Sequence, residues 1–198
     1  MSRGKSPLDT QHENNLNSFS MKFQKEKVIL TGYRATGKTS IGKILADLLD
    51  FRFIDTDEAI EKRQGESIAE MVDRGGWELF RRQEENMLYE LANRSHIVIA
   101  TGGGAVMHET AWKKLRQNAL AVWLTADIRT ICQRLAADDN TDEQRPPLTE
   151  MGTMDEIAMV LSMRQPLYEK SSDLKIETDS KTVEEVAEYI LAEFKKGN

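Results

Sequence analysis

At 198 residues, 39% hydrophobic and 30% charged, the chain has the length for one domain with a sizeable core, and a composition neither disordered nor fibrous. Its net charge of −6 argues against nucleic-acid or membrane partners, which need a broad basic patch, but not against a small anion held by a few placed arginines. One cysteine, Cys132, rules out an internal disulfide. With no apolar run long enough for a bilayer and no secretory signal near the N-terminus, a cytoplasmic protein is expected.

Residues 1–25 are polar and read as a leader, ahead of one domain over 26–198. Val28-Ile29-Leu30 is a short apolar run of the kind that makes a buried parallel strand. Ile41, Ile44, Leu45, Leu48 and Leu49 follow at helical spacing. Phe51 to Ile54 reads as a second strand ending at Asp55, and residues 58–92 as two or three helices broken near Gly65 and at Gly75-Gly76. His96 to Ala100 is a third strand, stopped by Gly102-Gly103-Gly104. A helix over about 108–117 leads to a strand at 119–124 and a helix at about 127–137. The polar stretch 138–153, interrupted by Pro146-Pro147, reads as a mobile lid loop. The next helix, from about 154, is expected to stop at Pro166. Leu174 to Glu177 is the last strand. In the closing helix Thr182 and Glu185 form a capping box, with Val183, Val186, Ala187, Ile190, Leu191 and Phe194 as its buried face. Strands alternating with helical crossovers predict a three-layer α/β/α domain around a five-stranded parallel sheet.

After the first strand comes Gly32-Tyr33-Arg34-Ala35-Thr36-Gly37-Lys38-Thr39, which fits G-x-x-x-x-G-K-[ST] and is followed by Ser40. Glycines let the backbone turn tightly with its N–H groups inward, Lys38 brings a point charge to the β and γ phosphates, and the Thr39 hydroxyl suits Mg²⁺. The helix that starts here adds the positive end of its dipole. The pattern points to an ATP-using phosphotransferase. Asp55 and Asp57, two apart at the end of the second strand, can face the same crevice. One suits Mg²⁺ through water, and the other suits a substrate hydroxyl. Alternatively, Asp57 caps the next helix.

Further segments in the same order resemble the shikimate kinase family: Asp55-Thr56-Asp57, Phe80-Arg81-Arg82-Gln83-Glu84, Thr101-Gly102-Gly103-Gly104-Ala105, Arg145-Pro146-Pro147-Leu148 and Arg164-Gln165-Pro166-Leu167-Tyr168. The resemblance covers roughly residues 27–195. It implies a P-loop kinase fold and transfer of the γ-phosphoryl of Mg·ATP to the 3-hydroxyl of shikimate, giving shikimate 3-phosphate and ADP. It also implies Asp57 on that hydroxyl, Arg81 and Arg164 on the shikimate carboxylate, the three glycines against the ring, and Arg145 closing over the phosphates. Paired guanidinium forks suit a planar carboxylate. A monomer with small-molecule partners is expected. Arg134 and the stretch Thr178 to Thr182 are the candidates beside adenine.

Other readings stay open from the residues alone. Arg81 lies three before Glu84 and can be a helix-surface ion pair. Arg164 can cover a helix end before Pro166. Ala35 stands where the family often has glycine. Trp77, Trp112 and Trp123 read as packing residues, and His12, His96 and His108 receive no role. A gluconate kinase, or a non-catalytic nucleotide-binding module, are the rival functions.

Overall fold

The computed structural model describes residues 24–137 and 153–197. The leader up to residue 23, most of the expected lid and its Arg145 lie outside the described residues. The elements run β1 (Lys27–Thr31), α1 (Lys38–Leu49), β2 (Arg52–Asp55), α2 (Thr56–Gln64), α3 (Ile68–Ala92), β3 (Ile97–Ala100), a 3-10 turn (Ala105–Met107), α4 (Glu109–Leu115) and β4 (Ala119–Thr125). Then come α5 (Ile128–Ala136), α6 (Thr153–Ser171), β5 (Leu174–Glu177) and α7 (Val183–Lys196).

The five strands form one parallel sheet in the order β2-β3-β1-β4-β5. Residues along each central strand alternate between two cores, as a two-residue period dictates. Val28, Leu30, Val98 and Val122 pack with α1 and α7, including Ile41, Leu45, Ile190 and Phe194. Ile29, Ile97, Ile99 and Trp123 face the other way onto α3 and α4, including Met87, Leu88 and Trp112. Both faces are covered, which is why these strands read as continuous apolar runs. A smaller cluster of Tyr33, Ile131, Ile157 and Val160 packs the loop after β1 against α5 and α6.

Register places the functional loops. Ala100 of β3 pairs with both Leu30 of β1 and Asp55 of β2. The three strands therefore end at one level, and the segments leaving them start side by side at the carboxyl edge of the sheet, where ligands bind in open α/β folds.

The second strand ends at Asp55 as expected and begins at Arg52 rather than Phe51. The structure corrects one element expectation. The helix before β5 does not stop at Pro166 but continues to Ser171. Proline removes one helical hydrogen bond, a cost of about 3 kcal/mol. Contacts beyond it offset that loss: Tyr168 is fully buried and stacked on Trp123 at 5.6 Å, and the Trp112 indole donates to the Ser171 carbonyl at 3.2 Å. The break expected at Gly75-Gly76 is present as a kink in α3, where Gly76 has φ 69° and ψ 173°. The Thr182/Glu185 capping box forms as expected.

Candidate active site

The phosphate loop connects β1 to α1. Gly32 has φ 137°, and a Cβ there would overlap the Leu124 carbonyl oxygen, so only glycine lets the loop lie against β4. The Tyr33 carbonyl accepts from the Thr36 hydroxyl at 2.8 Å and from Lys38 Nζ at 2.6 Å. Lys38, the first residue of α1, thus folds back over its own loop. Ala35 sits at φ 60°, a left-handed backbone in a residue with a Cβ.

Across from the loop, Thr39 Oγ1 donates to Asp55 Oδ2 at 2.8 Å. The other Asp55 oxygen accepts from the Asp57 N–H at 3.0 Å and caps α2. The capping role left open for Asp57 therefore belongs to Asp55. Asp57 is buried, 7% exposed, and lines both the crevice beside Lys38 and a second pocket behind it. Among the described residues no cluster of three or more His, Cys, Asp or Glu could cage a metal. Mg²⁺ does not need one, because it takes one or two carboxylates plus waters and phosphate oxygens. The Thr39–Asp55 pair fits that donor set.

The second pocket is a small recess with about 440 Å³ of empty space, part of it open to solvent. Its wall is the turn Gly102-Gly103-Gly104, and each glycine backs a different side chain. A Cβ on Gly102 would press on Glu84 Oε1 and lie 2.8 Å from Asp57 Oδ1. One on Gly103 would lie 3.5 Å from Arg164 Nη1, and one on Gly104 would overlap the Arg81 guanidinium. Asp57, Arg81 and Arg164 therefore converge on one turn from α2, α3 and α6. The Gly102 N–H is taken by Thr56 Oγ1 at 2.9 Å, which ties the end of β3 to the start of α2.

Arg81 does pair with Glu84 three residues on, at 2.5 Å, so the ion-pair reading and the pocket reading both hold. Glu84 is fully buried and lines the pocket, which separates this pair from a solvated helix face. Arg164 lies inside α6 rather than at its end. One turn later Tyr168 donates to the Gly103 carbonyl at 2.6 Å. Burial pushes its phenol up to about 12, partly opposed by the neighbouring Arg164. Arg34 lines both pockets and reaches Glu156 on α6 at 3.2 Å.

Arg134 and Thr178 also come together. Arg134 donates to the Ala35 carbonyl at 3.2 Å, to Thr178 Oγ1 at 3.0 Å and to the Thr178 carbonyl at 2.8 Å. Beside them a cleft lined by Gly37, Ser40, Lys181 and Thr182 opens next to the phosphate loop. No site role was expected for four residues of the pocket region, Trp77 having been read as a packing residue. Glu84 and Tyr168 lay within quoted motifs. Trp77, whose ring lies 5.4 Å from the Arg81 guanidinium, and His108, 3.0 Å from Glu84, carried no pattern to find them by.

A glycine-turned phosphate loop at the head of a parallel sheet, facing a carboxylate and two arginines across one crevice, defines a P-loop kinase of small molecules. The sequence model of the family described as shikimate kinase matches residues 34–195. The chain belongs to the shikimate kinase family. It is 37% identical to a shikimate kinase of Rhodopirellula baltica over 84% of this chain and 89% of that one. It is 39% identical to one of Thermodesulfovibrio yellowstonii over 86% and 96%. Among solved structures, shikimate kinase from Acinetobacter baumannii in complex with shikimate superposes with a TM-score of 0.81, at 30% identity over 89% and 97% of the two chains. As a member of this family the chain uses ATP. Among the described residues no helix is long and apolar enough to cross a membrane.

Proposed function

We propose that this chain transfers the γ-phosphoryl of Mg·ATP to the 3-hydroxyl of shikimate, giving shikimate 3-phosphate and ADP. The observation that carries the reading is the turn Gly102 to Gly104, against which Asp57, Arg81 and Arg164 all pack. Two guanidinium groups and a carboxylate around one small pocket match a ring bearing one carboxylate and several hydroxyls. The pocket shares Asp57 and Arg34 with the crevice of the phosphate loop, so an acceptor hydroxyl on Asp57 would face the phosphate to be moved.

In this reading Arg81 and Arg164 fix the carboxylate and thereby the orientation of the ring. Asp57 accepts the proton of the hydroxyl as its oxygen bonds to phosphorus in line with the leaving ADP oxygen. Lys38 and the loop N–H groups of Gly32 to Ser40 hold the phosphates and counter the charge that develops on them. Mg²⁺, held through the Thr39 hydroxyl and Asp55, would offset charge between the β and γ oxygens. Arg134 and Thr178 would stand beside the adenine. Arg145, on a lid over about 138–153 of a domain running 26–198, would close over the phosphates and exclude water. The same reading makes the protein a cytoplasmic monomer.

Asp57→Asn tests it, because the amide keeps the shape of the site and loses the basic oxygen. ATP and shikimate binding are expected to persist while turnover falls roughly 10²–10⁴-fold. Near-normal turnover in that variant would remove Asp57 from the chemistry.

A further inference from the structure

His108 stands in a position that the phosphotransfer reading does not use. It follows the 3-10 turn after the three glycines and precedes α4, and its side chain is 13% exposed. Its Nε2 lies 3.0 Å from Glu84 Oε2, the same oxygen that accepts from Arg81 Nη1 at 2.5 Å. An ionised carboxylate only accepts, so His108 Nε2 carries the proton. Glu84 Oε1 is buried against Gly102 with no hydrogen-bond partner among the described residues.

We propose that His108 is a positioning residue of the acceptor pocket: it pins the Glu84 carboxylate, which in turn aims the Arg81 guanidinium into the pocket. Arg81 and Glu84 sit three apart on one helix and can swing together as a pair. His108 comes from the opposite wall, on the segment that carries the glycine turn. It is the donor that ties the pair to that wall. With both donors gathered on Oε2, Oε1 is held toward Gly102 and the pocket. A purely structural duty fits less well, because His108 is the N-cap residue of α4 yet its side chain makes no capping bond. This inference rests on reading the pocket as the shikimate site.

The test uses the full chain and compares His108→Leu with His108→Gln, whose amide nitrogen can donate from the place of Nε2. Shikimate KM, ATP KM, kcat and shikimate binding by tryptophan fluorescence are measured for each; Trp77 beside Arg81 is the reporter. His108→Leu is expected to raise KM and Kd for shikimate roughly tenfold, the scale of one hydrogen bond to a charged group, with ATP KM and kcat within about twofold. His108→Gln should recover most of the loss. Unchanged shikimate KM in His108→Leu overturns the proposal, as do equal losses in both variants or a parallel rise in ATP KM. Should His108→Leu fail to fold, Glu84→Gln decides: it is expected to weaken shikimate and not ATP, and no effect overturns the proposal. Wild-type protein that neither binds nor phosphorylates shikimate would sink the functional reading itself and this inference with it.

Discussion

Ala35 adopts φ 60° in the middle of the phosphate loop, a backbone that costs a residue with a Cβ about 1–2 kcal/mol. Exchanging alanine for glycine ordinarily loses about 0.5–1 kcal/mol. Ala35→Gly is therefore expected to leave stability unchanged or raise it by up to about 1.5 kcal/mol in urea unfolding; an ordinary loss would show that the strain is not there. Gly104→Ala acts at the other end of the crevice. Its new methyl would overlap the guanidinium of Arg81, the end of a flexible side chain. Stability should hardly move, while shikimate KM rises roughly tenfold or more as Arg81 is displaced. Lys38→Met should abolish transfer and weaken ATP binding, since it removes the ammonium that the phosphate-loop pattern brings to the β and γ phosphates. At this scale the sequence was informative wherever a residue type is forced. Gly32, Gly37, Lys38 and Thr39 follow from the phosphate-loop pattern, and Asp57 from its spacing to Asp55. Arg81 and Arg164 were readable as a pair only through the family resemblance. His108 was not readable at all, because its partner Glu84 lies 24 residues away on another element and a lone histidine has no period.

Helix α6 shows how tertiary packing overrides a local signal. Pro166 marks a stop in sequence, yet the helix passes through it because Tyr168, one turn past Arg164, is held from three sides. Trp123 stacks on it, the Gly103 carbonyl accepts a hydrogen bond from its hydroxyl, and Arg164 lies alongside. None of those partners is near in sequence except Arg164. The same burial gives a pH dependence. The folded state raises the Tyr168 phenol from 10 to about 12, so the native protein keeps this proton where the unfolded chain has lost it. Stability from this group is present below pH 10 and is lost as pH rises from 10 toward 12, by up to about 3 kcal/mol. Urea unfolding at pH 9 and pH 11 should show about half of that loss in wild type and none of it in Tyr168→Phe. Equal pH dependence in the two would refute it. The remaining elements were legible because their signals are local: apolar runs for strands buried on both faces, helical spacing in α1 and α7, and the Thr182/Glu185 box.

On the scale of the whole molecule, the order β2-β3-β1-β4-β5 does the decisive work. It sets β1 between β3 and β4, so the phosphate loop, the Asp55–Asp57 corner and the glycine turn leave the sheet side by side. The alternation of strands and helices predicted a parallel sheet but not which strands are neighbours. Strand order depends on long-range packing that no local pattern encodes. Without that order the motifs are a string of separate signals; with it they surround one crevice. The account then stands on what fills that crevice. The most direct measurement is ADP release by the purified full chain with Mg·ATP and, in turn, shikimate, gluconate or no acceptor. Release that requires both shikimate and Mg²⁺, with gluconate no better than the blank, is the predicted result. Release with gluconate but not shikimate, or none with any acceptor, would contradict it.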